Sequence, residues 1–506
     1  MPLNLDAPSW GLLIPSLIVL VTAVVVSMMD AFMPKDRQYS TITIASLLGY
    51  GLALVAVFAT EDDKGETFHG LFRADGLTVF LSIIILVSAI LTVLISASYV
   101  ENLEGRMPIG EFYTLVAFAT FGAMITGAAG DMVMVYIGIE LTSIATYVLT
   151  AFARRRATAL EGALKYFLLG LFASAILLYG MAWIYGSTGS TNLDAIASSL
   201  AAQVSGQDSL DASLLLGLLL VIVGLAFKMA AVPFHFWTPD AYDGAPTPVT
   251  GWMSVVPKAA AFAATVRMLI QGLEPLVDDW RILIAALAFI TMIFGNIVAV
   301  SQRDVKRMLA YSSIAHTGYM MAGFAAYQVT EGFGTGSTND LSVSSVLYYL
   351  LSYTLMNIGA FAIIVWIQHR GRGYQLEDFY GLGSSHPGAA AAMTVFMVSL
   401  MGIPPTIGFY AKYYVIVALL DADLLWLAIT IVLTSAVSAF YYLRVVAVMY
   451  FQEGTESKRA FSTPLLNAGI LIMVIGVFAM GLFSGSIIDL ADNWTDALTI
   501  VASTTP

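Results

Sequence analysis

Six basic side chains and one acid stand inside long apolar runs. The basic residues are Lys165, Lys228, Lys258, Arg267, Lys412 and Arg444, and Glu140 is the one acid central in such a run. A charge at the centre of a bilayer costs roughly 2.5–3.5 kcal/mol on insertion scales. Such residues must be paired, hydrated or neutralised, and the chemistry that suits them is proton transfer. A lysine or a carboxylate can give up or take a proton, whereas an arginine stays charged. Arg267 and Arg444 are therefore read as structural anchors.

Glu140 lies in Tyr136-Ile-Gly-Ile-Glu140-Leu-Thr-Ser143. Ser143 and Tyr147 follow at i+3 and i+7, so this polar stripe should face protein rather than lipid. Burial favours the neutral carboxyl and a nearby lysine favours the charged one; a group under both influences can change protonation state. Lys228 precedes Pro233 and His235 in Phe227-Lys-Met-Ala-Ala-Val-Pro-Phe-His235-Phe-Trp237. Its stem is long enough to snorkel, and Pro233 frees a backbone carbonyl at that level. His235 could titrate near neutral pH or simply fill a core site. Lys258 follows Pro257, roughly two turns into its run. Lys412 comes seven residues after Pro404-Pro405, and a broken helix at membrane depth is tolerated where it lines a cavity. Lys165 stands four residues after Glu161, so an i,i+4 ion pair is as good an account of it as chemistry. His316, in Ser312-Ser-Ile-Ala-His316-Thr-Gly-Tyr319, suits a hydrated relay or a satisfied core histidine equally. No histidine pair has haem- or zinc-ligand spacing, and the glycine-rich run at 332–336 reads as loop.

These side chains need a membrane scaffold. Of the 506 residues, 59% are hydrophobic and 11% charged, with mean hydropathy +0.83; a soluble domain carries about 25% charged residues. The net charge of −12 argues against nucleic-acid binding. The absence of cysteine excludes disulfides, thiolate zinc and cysteine-held iron–sulfur clusters. Apolar segments of about 20 residues, the length that crosses a bilayer, fall near 10–29, 40–59, 76–98, 111–130, 132–153, 160–186, 212–233, 250–272, 280–301, 306–326, 343–368, 388–420, 424–450 and 463–485. The twelfth is read as one helix broken at Gly402-Ile-Pro404-Pro405. The first has no basic flank and is long enough to span, so it is not expected to be a cleaved signal.

With the N-terminus outside, the inner loops hold Lys35, Arg37, Arg106, Arg154, Arg155, Arg156, Arg303, Lys306, Arg307, Arg370, Arg372, Lys458 and Arg459. The outer loops hold only Lys64, Arg73 and Arg281. This asymmetry follows the positive-inside rule and supports fourteen spans with both termini outside. The outer loops 187–211 and 327–342 read as surface connections, and the tail from Ser486 as a short surface helix or a frayed end. Spans seven and twelve both carry a lysine near a proline break. They lie five spans apart, an odd number, so spans 4–8 and 9–13 form a candidate inverted repeat, by position alone. The expected organisation is three helices over 1–110, repeats over 111–273 and 274–460, and a last helix with its tail over 461–506.

The stretch Phe227-Lys-Met-Ala-Ala-Val-Pro-Phe-His-Phe-Trp-Thr-Pro-Asp-Ala-Tyr-Asp-Gly-Ala-Pro-Thr-Pro-Val249 with Pro257-Lys258-Ala-Ala resembles the antiporter-like subunits of respiratory complex I. Glu161-Gly-Ala-Leu-Lys165-Tyr-Phe and Gly402-Ile-Pro-Pro-Thr-Ile-Gly-Phe-Tyr-Ala-Lys412 look like the subunit N family of bacterial NADH:quinone oxidoreductase. The sister subunit M typically has glutamate at the position of Lys412. The likeness spans nearly the whole chain and implies an all-α polytopic membrane protein of about fourteen helices, with inverted repeats and broken helices 7 and 12. It implies proton translocation in which Glu140 pairs with Lys228, Lys258 leads to the centre and Lys412 stands on the outlet side. Lys165 would take part, with His235, His316 and Tyr311 on a secondary path. It implies no redox centre in this chain; NADH, FMN, iron–sulfur clusters and quinone belong to partner subunits. Expected partners are subunits M, K and J and membrane lipids, in a bacterial inner membrane. A cation/proton antiporter subunit, a ferredoxin-linked photosynthetic relative of complex I and a purely structural spacer are the alternative readings.

Overall fold

In lipid every backbone N–H and C=O must find a partner within the protein, so long apolar runs fold as helices. The computed structural model describes residues 8–102, 108–206, 211–328, 338–454 and 464–495. Arg106, Lys458, Arg459, the 332–336 run and the tail beyond 495 lie outside these residues, as do the side chains of Lys35 and Arg37. Among the described residues, twelve helices are long and apolar enough to cross a membrane. Two further crossings make up the fourteen. The tenth, Val305–Ala325, is long enough but carries Lys306, Arg307, Ser312, Ser313, His316 and Thr317. The twelfth is split into Pro387–Met401 and Ile407–Asp421.

The eleventh helix, Leu341–Gln368, lies at the centre with its apolar window wholly inside the protein. The tenth is also buried almost throughout its length, so its hydroxyls face protein. The first, second and thirteenth helices expose Val21, Leu48 and Val432 among other large apolar side chains, as a lipid-facing surface requires. A two-stranded hairpin, Gly65–Thr67 with Phe72–Ala74, interrupts the helical pattern.

One connection differs from expectation, and the tail takes the helical one of its two readings. The segment 187–211, read as a surface connection, contains the helix Leu193–Gly206. Leu193, Ile196 and Leu200 recur at helical spacing and are at most 1% exposed, so this stripe docks the helix onto the body. The tail forms the helix Ser484–Thr495, held by Ile488, Ala491 and an edge-on contact of Trp494 with Phe80.

The inverted repeat is written in backbone hydrogen bonds. Asp131 caps the fifth helix, Met132–Thr150, and Asp304 caps the tenth. Each aspartate forms an antiparallel bridge to the chain behind the following helix, Asp131 to Asn192 and Asp304 to Gln375. The same two bonds close each bridge: Met132 N–H to Thr191 O and Leu193 N–H to Gly130 O, then Val305 N–H to Tyr374 O and Leu376 N–H to Arg303 O. The two breaks match as well. The helix Ala212–Met229 ends at Ala230 with φ 63°, and Pro387–Met401 ends at Gly402 with φ 90°. Ala231 and Ile403 donate to Ala226 O and Val398 O, while Phe234 and Thr406 donate to Ala231 O and Ile403 O. A cis proline follows in both, at Pro233 and Pro405. The left-handed turn suits Gly402; at Ala230 the same conformation carries a Cβ.

Asp304 lies on the face that carries Arg303, Lys306, Arg307 and Arg372, here termed the basic face. Its side chain accepts from Arg307 N–H at 3.0 Å and from Gln375 Nε2 at 2.9 Å. Burial, with Asp243 adding to it, pushes its carboxyl up to about 6. A carboxyl raised on folding binds its proton more tightly in the native state, so it favours folding at low pH. That contribution is lost as pH rises from about 4 to about 6. Asp304→Asn keeps a capping oxygen and removes the titration. The difference between variant and wild-type thermal midpoints should move in the variant's favour across that window; a difference independent of pH would contradict the assignment.

Candidate functional site

The fifth, sixth and seventh helices bring the first pair together. Lys228, in the last turn of the seventh, donates to Glu140 Oε1 at 2.9 Å, Ser143 Oγ at 3.0 Å and Ser174 Oγ at 2.9 Å. Ser174, from Ala157–Thr188, donates in turn to Glu140 Oε1 at 2.5 Å. The ammonium therefore has all three N–H donors satisfied, one by a carboxylate, with side-chain exposures of 6% for Lys228 and 16% for Glu140. Tyr147 shares the Glu140 stripe but packs edge-on against Tyr166 at 4.5 Å. Tyr166 stacks on Trp237 at 4.1 Å, and Trp237 Nε1–H donates to Phe227 O at 3.2 Å. This aromatic stack ties the sixth helix to the seventh break beside Lys228.

The tenth helix carries the row onward. Lys258, 1% exposed, donates to Ser313 O at 2.8 Å, Ser313 Oγ at 2.6 Å and Thr317 Oγ1 at 2.9 Å. Thr317 donates to Met229 O at 2.9 Å, the carbonyl next to Lys228 in the chain. One turn from Ser313, His316 Nδ1 lies 2.7 Å from Tyr349 Oη and Nε2 lies 3.1 Å from Tyr442 Oη. Tyr442 also meets Ser312 Oγ. The His316 ring packs edge-on against Tyr319 at 5.5 Å, and Tyr319 presents its face to Lys412 Nζ at 4.9 Å. Lys412 caps the broken end of its own span, donating to Met401 O at 2.9 Å and Leu400 O at 3.3 Å.

The equivalent caps align the two repeats residue by residue. Glu140 stands nine residues after Asp131, and Ser313 stands nine after Asp304. The position that supplies a carboxylate to Lys228 in the first repeat supplies a hydroxyl to Lys258 in the second. Lys258 and Lys412 are thus solvated by neutral oxygens and a ring face, with no ion pair among the described residues.

Other expected residues stand apart from this row. Lys165 is 45% exposed at the basic face, paired with Glu161 and Asp240 at 2.7 Å each. Asp240 also binds Arg307 at 3.3 Å. His235 is 3% exposed and packs on Phe236 and Phe294, with no hydrogen bond to the lysines among the described residues. Tyr311 is half-buried and forms no side-chain hydrogen bond to the described residues. Sequence reasoning did not single out Ser174, Ser313, Thr317, Tyr349 or Tyr442. The signal for Ser313 and Thr317 was the hydroxyl cluster around His316; Ser174 is a lone hydroxyl in an apolar run. The expected anchors do hold carbonyls and acids. Arg267 is fully buried against Asp75, and Arg444 donates to Val300 O at 3.0 Å and to Gln302 O. No group of His, Cys, Asp and Glu that could hold a metal ion occurs among the described residues.

Residues 129–438 match the family described as NADH:quinone oxidoreductase/Mrp antiporter, TM. The chain is 42% identical over 487 residues to NADH-quinone oxidoreductase subunit N of Trichlorobacter lovleyi, covering 96% of each chain. A chain of respiratory complex I from Thermus thermophilus, solved with bound aureothin, superposes with TM-score 0.78 at 32% identity, over 94% of this chain and 99% of that one. A chain of the Mrp complex from Dietzia sp. shares the fold, with TM-score 0.82 at 21% identity over 98% of each.

Proposed function

The chain belongs to the subunit N family of NADH:quinone oxidoreductase, an antiporter-like membrane subunit, and from that premise we propose that it moves protons along the Glu140–Lys228–Lys258–Lys412 row. The observation that carries this reading is the single, partly buried carboxylate on Lys228, followed by two buried lysines with no counter-ion among the described residues. Two unit charges ~4 Å apart at an effective dielectric near 20 interact by about 4 kcal/mol. While Glu140 is close, Lys228 holds its charge. When a conformational change in the complex draws the carboxylate away, the buried ammonium loses that compensation. Its proton then passes through the hydroxyl and imidazole groups to Lys258 and onward to Lys412. Thr317, bonded to Lys258 and to the carbonyl that follows Lys228, stands between the first two lysines, and His316, between Tyr349 and Tyr442, stands between the last two. Lys165, with Asp240 and Arg307, stands at the mouth facing the cytoplasm and gathers protons there.

In this reading the basic face is cytoplasmic and both termini are periplasmic in a bacterial inner membrane. Quinone reduction takes place elsewhere in the complex, on cofactors held by partner subunits, with subunits M, K and J as the membrane neighbours. Lys258→Met tests the relay, since methionine fills similar volume without a titratable nitrogen. In vesicles containing the intact complex, proton translocation should fall at least tenfold while the complex assembles in normal amount. Wild-type translocation by the assembled variant would remove Lys258 from the path.

A further inference from the structure

On the basic face, away from the lysine row, a groove of about 380 Å³ runs between the eleventh, twelfth and fourteenth spans. Its walls are Ile363 and Trp366 on one side and Ile470 and Val474 of the helix Pro464–Leu482 on the other. Its floor is the first half of the broken span, where Gly388, Ala389, Ala391 and Ala392 leave the recess. From Gly388 to Val395 the floor descends seven residues, about 10 Å towards the bilayer centre at the helical rise. The walls carry no charge, and Asn467 is the polar lining residue.

The mouth is cationic. Arg370 lays its guanidinium on the Trp366 ring, 3.1 Å from the centroid, and donates to His386 Nε2 at 3.4 Å and to Trp366 O at 3.3 Å. It forms no ion pair among the described residues. Partial burial pulls its guanidinium down to about 10, so this cation has lost water without gaining an anion. His386 caps the 15-residue helix Pro387–Met401, whose positive end opens onto the same mouth at Gly388. Pro387 has no N–H, and Ala389 and Ala390 donate to His386 O, so this end favours an anion through its aligned peptide dipoles. A Cβ at Gly388 would meet nothing within 4 Å, so the space in front of that end is open.

We propose that this groove binds one anionic phospholipid, with its phosphate against Arg370 and the Gly388 end of the helix and one acyl chain along the alanine floor. Charge complementarity selects the occupant. A neutral helix of a partner protein would leave Arg370 uncompensated, whereas a phosphate accepts charge-assisted bonds from the guanidinium fork. The tapering of the site, from cation to tryptophan to aliphatic wall, follows the order of headgroup, interface and tail in a leaflet. The site is independent of the lysine relay.

The test uses the intact complex in phosphatidylcholine vesicles doped with a trace of photoreactive phosphatidylglycerol or, in parallel, photoreactive phosphatidylcholine. Labelled peptides are then mapped. The phosphatidylglycerol probe should label residues 388–395 and 467–474 at least tenfold more than the phosphatidylcholine probe. Arg370→Gln should bring the two probes level. Gly388→Leu, which blocks the mouth in open space and leaves the cation in place, should abolish the excess labelling; it serves as the deciding variant if Arg370→Gln does not assemble. Equal labelling by the two probes in wild type, full labelling in both variants, or cross-links from these helices to another subunit in place of lipid would overturn the assignment.

Discussion

Replacing Glu140 with Gln is expected to abolish coupled proton translocation while leaving the assembled complex intact. The glutamine keeps the shape of the side chain and an oxygen for Ser174 and Lys228, so the packing of the fifth, sixth and seventh helices survives. What disappears is the negative charge 2.9 Å from the Lys228 ammonium. At an effective dielectric near 20, unit charges centred ~4 Å apart interact by about 4 kcal/mol, close to three powers of ten in a protonation equilibrium. Without that charge the first lysine no longer has two states that differ by the presence of a partner. In vesicles, protons moved per NADH oxidised should fall at least tenfold. Glu140→Asp restores the charge one methylene further away and should give an intermediate value. Unchanged stoichiometry in the glutamine variant would show that the pair is structural and would return Lys228 to the role of a satisfied core cation.

The second large effect concerns stability rather than transport. Arg267→Met should destabilise the subunit by about 3–5 kcal/mol, the usual result of removing one partner of a buried ion pair. Arg267 donates from Nη1 to Asp75 at 2.6 Å and from Nη2 to Asp75 at 2.8 Å, and it reaches Gly127 O, Thr78 Oγ1 and Gln271 Oε1. It joins the start of the third helix to the ends of the fourth and eighth. Burial raises the Asp75 carboxyl, but the guanidinium and the Thr78 bonds outweigh burial and hold it below the usual carboxylate range. A carboxyl lowered on folding stabilises the native state above its unfolded value, near 4, and loses that contribution as pH falls below it. Methionine would leave Asp75 charged, buried and unpaired. Combining it with Asp75→Asn should recover part of the loss, because the orphaned charge is then gone. Thermal midpoints of the four purified complexes measure this coupling; additive losses would mean that the two side chains do not act as a pair.

Part of the candidate site was legible because burying charge in lipid is so unfavourable. Glu140, Lys228, Lys258 and Lys412 could be picked out one by one, since each breaks an apolar run. Their solvation shells could not. Ser174 and Lys228 are 54 residues apart, and Lys258 and Ser313 are 55 apart. Lys165 was legible in part. The i,i+4 pair with Glu161 could be read from spacing and is formed at the exposed end of the span, but Asp240 joins it from 75 residues away. His235 sits within seven residues of Lys228, but the break turns its ring onto Phe294.

Residue order alone did not single out the buried Arg73, Asp75 and Lys306, but it was enough for the membrane class, the fourteen crossings, the two broken spans and the buried Lys228, Lys258, Arg267 and Lys412. These follow from apolar length and local breaks, which are sums over neighbouring residues. It took the folded chain to show which acid meets which lysine, that the second repeat offers Ser313 where the first offers Glu140, and that Arg267 closes on Asp75 across 192 residues. Those outcomes depend on how each helix is rotated and where its neighbours lie. That rotation is set by packing among all the helices at once, and no local run of residues encodes it.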